Sequence, residues 1–474
     1  MSTSDSSVDV SDRLVGRNFL ALGSGEAAAR IVAFVATVYL ARVLGSEAFG
    51  VVGFATAVIL YLKRVADGGI ELGVGVQMIA DHPERIEELG GALVTARLVV
   101  AAVLVVALVL VGLLVVPPPD GPVLAAYGLT LLAVGAGTRW IHFGVERTGT
   151  VAVARTAGEV VMVAIVLLLV HGPADLVTVP LAQFVGDAVA ALLMLVVLRR
   201  WGHRISLRVD LEAVREVLPR CWPLVAGSLL SLLIYNSDLI FLRFFRGASA
   251  VGYYVAAYAL VSFLVNLSSA YGSSLLPTLS RLEDEDERRL YRTATAQALT
   301  VALPVAVGGA LLAPGIIGRV FGQAYAPAVL PLQILLFSVV FGVLRDVPTV
   351  ALMSRGREDR LLRMNVVGTS VNLLLNVAVI PVWGIVGAAW ATVATEAVRM
   401  AISRRFARHE AFEPPPVSRF WRAAVATAVM AGVLVALGLD NPWIGVPAGA
   451  VAYGAVLAAT GGLSLGDGTV ALDV

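Results

Sequence analysis

The sequence predicts an all-α polytopic membrane protein of about fourteen transmembrane helices: two six-helix lobes in parallel repeat plus a C-terminal helix pair. Three observations predict it. First, 58% of the 474 residues are hydrophobic and only 15% are charged, against about 45–50% and about 25% in soluble proteins. Mean hydropathy is +0.86, and so few charges cannot turn that much apolar surface away from water. Second, apolar runs of about 20 residues, the length that crosses roughly 30 Å of hydrocarbon, recur along the whole chain. They are too long and too continuous for barrel strands. Third, arginines gather in every second connection between the runs.

Residues 1–17 are polar and carry Asp5, Asp9, Asp12, Arg13 and Arg17. No short apolar core with a small-residue cleavage site follows, so the first run is expected to act as the insertion signal. The N-lobe is expected over 18–200, with spans at 18–41, 48–70, 91–116, 121–145, 149–171 and 174–198. A cytoplasmic linker, 201–221, follows. The C-lobe is expected over 222–410, with spans at 222–243, 248–272, 294–314, 326–352, 364–382 and 384–403. The last pair, 419–438 and 442–463, lies in 411–474. Pro117-Pro118-Pro119-Asp120, His171-Gly172-Pro173 and Asn441-Pro442 are turn signals between runs.

The connections after the sixth, eighth, tenth and twelfth runs are rich in arginine, for example Arg199, Arg200 and Arg204, then Arg288 and Arg289, then Arg355 and Arg357, then Arg404 and Arg405. The connections at 117–121, 171–175, 382–384 and 439–442 hold no Lys or Arg. Basic loops remain in the cytoplasm, so both termini are expected there. Within the internal loops, 205–220 places Leu207, Leu211, Val214 and Leu218 on one helical face, and 282–292 is similarly amphipathic. Both are expected to be helices lying at the cytoplasmic interface.

A repeat supports the division into halves. Residues 39–57 and 241–259 align Gly45, Ala48, Gly50 and Ala55 with Gly247, Ala250, Gly252 and Ala257. Both segments join the first and second span of their half, as a parallel repeat requires. Gly23, Gly25, Gly45, Gly50, Gly247 and Gly252 are read as close-packing positions. Trp140, Trp201, Trp222, Trp390, Trp421 and Trp443 are read mostly as interface anchors.

Tyr235-Asn236-Ser237-Asp238-Leu239-Ile240, followed by Gly247, Val251-Gly252-Tyr253-Tyr254 and Ala256-Ala257, resembles the seventh and eighth helices of oligosaccharide flippases in the multidrug/oligosaccharidyl-lipid/polysaccharide exporter superfamily. Pro381 to Thr392 resembles that family's entry to its twelfth helix, and Ala41-Arg42-Val43-Leu44-Gly45 with Phe49-Gly50 also fits. The resemblance implies a non-enzymatic flippase in the plasma membrane of a prokaryote. It would move a lipid-diphosphate-linked oligosaccharide to the outer leaflet for surface polysaccharide or glycan assembly. Expected partners are that substrate, membrane lipids, a coupling proton or sodium ion, and glycan-assembly proteins. Two rivals stand beside it: a multidrug/cation antiporter of the same superfamily, and a membrane-embedded glycosyltransferase or polymerase.

No catalytic signature, Walker A segment or cysteine cluster is present, since Cys221 is alone and Lys63 is the only lysine. Cofactors, metals and nucleic acid are therefore not expected. The informative residues are ionisable groups inside the spans, each costing about 2.5–3.5 kcal/mol at the bilayer centre. Glu26, Arg30, Lys63, Arg64, Asp67, Arg97, Arg139, Arg155, Glu159 and Asp187 fall in the first half. Asp238, Glu396 and Arg399 fall in the second, whose eighth to eleventh spans read as almost uncharged apart from amides such as Asn365, Asn372 and Asn376. Arginine's planar fork donates two parallel hydrogen bonds to phosphate oxygens and keeps its charge. Arg30, Arg64, Arg97, Arg139 and Arg155 are thus the candidate diphosphate site. Glu26, Glu159, Asp187 and Asp238 are the candidate cavity or coupling carboxylates. The structural alternative is that Lys63, Arg64, Arg97, Arg139 and Arg155 snorkel to the interface, that Glu26–Arg30 and Arg155–Glu159 only neutralise each other one turn apart, and that Asp187 pairs across helices.

Overall fold

A computed structural model describes the backbone of residues 5–466 and 469–472, and the side chains of residues 32–71, 73–416 and 418–462. Glu26, Arg30, Gly23 and Gly25 lie outside the described side chains. Contacts divide the chain into two compact units, Met1–Leu232 and Leu233–Val474. The boundary falls within a helix and not in the 201–221 stretch expected as a linker.

The first unit contains α1 (Asp5–Asp67), α2 (Val74–Asp81), α3 (Ile86–Leu114), α4 (Asp120–Gly128), α5 (Thr130–Ala136), α6 (Arg139–Gly144), α7 (Thr148–Leu169), α8 (Thr178–Arg200) and the start of α9 (Leu211–Arg246). The long α1 is interrupted at Gly45, with φ 72° and ψ 172°. The matching residue of the repeat, Gly247, has φ 87° and ψ 179°. A side chain is strongly disfavoured in this region, so both glycines are chain breaks. The repeat is therefore geometric as well as sequential.

Helices α7 and α8 cross at Gly158 and Gly186. A Cβ on either would stand 2.5–2.6 Å from the other's carbonyl oxygen, so only glycines allow this approach. The fourth span is assembled from α4, α5 and α6, bent where Gly137 turns extended. Beneath it a core gathers Ile79, Leu89, Leu93, Trp140, Ile141 and Leu198. Trp140 is wholly buried and is no interface anchor. Outside the core, Val99, Val103, Val106, Leu110 and Leu113 stand exposed along one face of α3. Their spacing of three to four residues is that of a helix face turned to lipid.

The segment before α9 departs from expectation, because residues 203–210 are not helical. Their backbone is tied to α3 instead: Arg204 N donates to Glu87 Oε1 at 2.9 Å and Arg208 N to Thr95 Oγ1 at 2.9 Å. The helix starts only when Asp210 accepts from the backbone N–H groups of Glu212 and Ala213, at 3.1 and 3.0 Å, as an N-cap does.

The second unit continues α9 and adds α10 (Ala248–Leu279), α11 (Asp284–Val320), α12 (Val329–Ser354), α13 (Glu358–His409), α14 (Trp421–Ala436) and α15 (Pro442–Ala459). A short antiparallel hairpin, β1 (Leu463–Gly466) with β2 (Thr469–Leu472), ends it. Residues 284–292 form the opening turns of α11 and not a separate interfacial helix. Glu287 there is buried, and it pairs with Arg355 at 2.5 Å. That hydrogen bond raises the Arg355 guanidinium above its ordinary range.

A straight 52-residue helix would be about 78 Å long, more than twice the bilayer core. Accordingly α13 is broken at Gly384, with φ 57° and ψ −132°. Arg246 closes the break by donating to the carbonyls of Ile380, Pro381 and Val382 at 3.2, 2.5 and 2.7 Å. Among the described residues, twelve segments are helical, long and apolar enough to cross a membrane. Two of them, Val32–Asp67 and Glu358–His409, contain the breaks at Gly45 and Gly384. The sequence count of about fourteen takes each side of those breaks separately.

Candidate functional site

In the first unit, Lys63 of α1 pairs with Asp187 of α8 at 2.8 Å, and Gln183 holds the other carboxylate oxygen at 2.9 Å. Asp187 is thus in a cross-helix pair, and Lys63 is part of that pair and not simply interfacial. Glu159 of α7 lies within electrostatic range of Asp187, Arg155 and Lys63, and its Oε2 is buried without a hydrogen bond. These four groups form one polar cluster on α1, α7 and α8.

Arg97 of α3 sits apart and is 2% exposed. It donates to the carbonyls of Gly137 and Val134, both at 2.8 Å, exactly where the fourth span bends. Its Nη2 also stands 3.0 Å from Asp67 and 3.3 Å from Glu71. The Asp67 contact is a charge contact out of line with the N–H, since neither Asp67 oxygen accepts a hydrogen bond. Both terminal nitrogens of Arg97 are therefore occupied by the protein.

Arg64 and Arg139 differ from Arg97. Both are half-buried. Arg64 lies within electrostatic range of Asp67. The Arg139 guanidinium lies 5.1 Å over the Phe143 ring, and its Nε makes no hydrogen bond. Among the described residues neither forms a hydrogen bond or an ion pair.

The second unit holds a larger network that the sequence reading underestimated. The tenth span is not uncharged: α12 carries Arg345 and Asp346, adjacent and 2.6 Å apart. Arg345 also reaches Glu396 of α13 at 2.5 Å, and Arg399 reaches the other oxygen of Glu396 at 2.6 Å. Both arginines donate to the Tyr235 hydroxyl of α9, at 3.0 and 2.9 Å. Arg399 further donates to Asn365 at 3.1 Å, and Ser268 of α10 donates to Asp346 at 2.7 Å. Two guanidiniums and two carboxylates thus neutralise each other within four helices. The signal for Arg345 and Asp346 was two adjacent charges inside an apolar run.

Asp238 of α9 lies next to this network. It is 2% exposed and accepts from its neighbour's backbone, Leu239 N, at 2.9 Å. The Tyr254 hydroxyl, hydrogen-bonded to Thr392 Oγ1 at 3.1 Å, lies within electrostatic range of it. It forms no ion pair among the described residues. Beside it Ser237 donates to Asn372 Oδ1 at 3.0 Å, Asn376 Nδ2 donates to the same oxygen at 3.0 Å, and Asn376 Oδ1 is buried without a partner.

The second unit also contains two apolar cavities of about 380 and about 510 Å³. They share Leu264, Val301 and Val305, and so form one trough along α10, α11 and α12. Met430, Leu434, Val446 and Ala450 of the terminal pair α14 and α15 line its far end. Ser268, Tyr271 and Gln297 give the other end a polar edge.

Known proteins share this architecture. The solved lipid II flippase MurJ, in an inward closed conformation, superposes with a TM-score of 0.80 at 12% identity, covering 93% of this chain and 98% of that one. An inward-facing multidrug resistance transporter of the MATE family and MOP superfamily gives 0.64 at 14% identity, covering 81% and 94%. In sequence, the probable flippase AglR of Haloferax volcanii is 30% identical over 240 residues, 46% of this chain and 49% of that protein, so the match spans about half of that relative. The putative O-antigen transporter of Shigella dysenteriae is 22% identical over 365 residues, 76% of this chain and 91% of that protein. The model of the polysaccharide biosynthesis protein family matches residues 15–283, more than half of the sequence, and to that family the chain belongs.

Proposed function

We propose that the protein flips a lipid-diphosphate-linked oligosaccharide from the cytoplasmic to the outer leaflet by alternating access. It would do so in the plasma membrane of a prokaryote, in fourteen crossings with both termini cytoplasmic, and alongside glycan-assembly proteins. The relatives' names, probable flippase and putative O-antigen transporter, support this class over an enzyme. The observation that carries it is the state of Arg64 and Arg139: half-buried arginines on membrane-spanning helices, with no hydrogen bond or ion pair among the described residues. A diphosphate supplies the oxygen acceptors such forks need. With Arg155 and Arg30 they form our proposed anion site, while Arg97 holds the bent fourth span.

Asp238 is our proposed coupling group, taking up a proton or sodium ion. Glu159, in the cluster around Lys63, is the second carboxylate positioned to exchange a proton. An inside-negative potential also helps an anionic head outward, by about 2.3 kcal/mol per charge per 100 mV. The test is transfer of a labelled lipid-diphosphate-sugar in proteoliposomes. Arg64→Ala and Arg139→Ala should each lower transfer at unchanged folded yield. Wild-type protein that moves no such lipid across several glycans would overturn the function. Normal transfer by both variants would remove the two arginines from the site.

A further inference from the structure

One basic cluster remains unexplained by transport. It sits where α11 begins and α13 ends, on the arginine-rich side of the second unit. A polar cleft of about 870 Å³ opens there, lined among others by the paired Glu285 and Arg292, by Arg288 and Arg408, and by Glu413. The nearby carboxylates are mostly engaged elsewhere. Glu287 holds Arg355 at 2.5 Å, Glu410 holds Arg357 at 2.9 Å and Arg360 at 2.8 Å, and Glu285 holds Arg292 at 2.8 Å. Asp284 is only within 4.0 Å of Arg288, and Glu413 is exposed at the rim.

Arg404 and Arg408 are left over. They are one helical turn apart, and like charges at that spacing repel. Arg408 acts electrostatically on Arg404, and among the described residues neither has a carboxylate partner. Three buried donors around them are unmet: Arg404 Nε, Arg288 Nε and the Tyr291 hydroxyl. Tyr291 is 1% exposed and lies within electrostatic range of both Arg404 and Arg408. A cleft with surplus positive charge and unused donors is complementary to an oxyanion. Guanidinium forks fit the oxygens of phosphate best.

We infer that the second unit carries a phosphate-binding cleft lined by Arg288 and Arg408, with Arg404 one helical turn behind Arg408, distinct from the proposed transport site. The phosphate arrives on an anionic lipid headgroup or as a soluble phosphate. Basic pockets at the cytoplasmic ends of membrane helices bind lipid phosphates by this chemistry.

The test uses the full chain in nanodiscs of phosphatidylcholine with or without about a quarter phosphatidylglycerol, with retained lipid counted by native mass spectrometry. A second arm titrates inorganic phosphate and glycerol phosphate in detergent. Arg408→Gln should weaken retention about tenfold, as loss of one charge-assisted fork does, and R404Q/R408Q should abolish it. Arg363→Gln, an exposed arginine paired to Asp359 on the same helix, should change nothing. Retention of phosphatidylglycerol alone identifies the lipid source; saturable binding in the second arm identifies the soluble one. Arg408 is exposed, so R408Q decides even where the double variant does not fold. Equal binding of both probes by wild type and R408Q, or an equal loss in R363Q, overturns the site.

Discussion

Glu396 is the hinge of the buried charge network in the second unit, and its removal has a calculable consequence. One oxygen faces Arg345 at 2.5 Å and the other faces Arg399 at 2.6 Å. In Glu396→Gln, Arg345 keeps Asp346 at 2.6 Å. Arg399 keeps only neutral partners, the Tyr235 hydroxyl and Asn365. A guanidinium that is 7% exposed would then stand without a counter-charge. Breaking one side of a buried pair costs about 3–5 kcal/mol. Arg399→Leu errs the other way, leaving Arg345 to serve both Glu396 and Asp346. The double variant E396Q/R399L restores neutrality, with the Arg345–Asp346 pair intact. It should therefore be more stable than the sum of the single losses by about 2–3 kcal/mol. The assay is unfolding in mixed micelles followed by tryptophan fluorescence, for the wild type and all three variants. Losses that add to within about 0.5 kcal/mol would refute the claim that these charges form one unit.

Three further outcomes follow from the geometry. Lys63→Met with Asp187→Asn should cost only about 1 kcal/mol in the same assay, because the pair is 24% and 27% exposed; a loss as large as that of Glu396→Gln would mean the cluster is drier than its exposure indicates. Gly158→Leu should eliminate monodisperse protein on size exclusion, since its first side-chain atom already meets the Gly186 carbonyl at 2.5 Å, whereas Gly454→Ala meets nothing within 4 Å and should stabilise by about 0.5–1 kcal/mol. If Asp238 is the coupling group, Asp238→Asn should flatten the pH or sodium dependence of lipid transfer while the protein still folds; an unchanged dependence assigns coupling to another carboxylate.

The spans were legible because membrane insertion reads the same quantity the eye does, a length of apolar sequence. The chain breaks were half legible. Gly45 and Gly247 were visible as a repeat, and their role as breaks needed the backbone angles. Partner choice was not legible. Lys63 and Asp187 are 124 residues apart, and nothing local in either segment names the other. Arg345 escaped notice for a different reason: Asp346 beside it cancels its charge, so the tenth span still reads as neutral on average. The stretch 205–220 has a helical apolar spacing, yet residues 203–210 are not helical, since Glu87 and Thr95 of α3 take the backbone N–H groups of Arg204 and Arg208. In each case the missing information is a contact distant in sequence.

The two units spend their charges differently, and this bears on which of them meets an anion. A paired guanidinium in a medium of low dielectric has a field that falls off quickly, because its carboxylate lies within 3 Å and cancels it beyond the immediate neighbourhood. Arg345 and Arg399 are of this kind, each with Glu396 within 2.6 Å. They hold four helices in register and have no reach. Arg64 and Arg139 are of the opposite kind, half-buried and without an ion pair among the described residues, so their charge is available to whatever comes near. The unit with the larger polar network is thus the poorer candidate for the diphosphate, and the unit with fewer hydrogen bonds to its arginines is the better one. The same logic separates the carboxylates: Asp187 is cancelled by Lys63 at 2.8 Å, whereas Asp238 is not cancelled by any cation among the described residues. On this argument the diphosphate site proposed above falls in the first unit, and Asp238, the proposed coupling group, in the second.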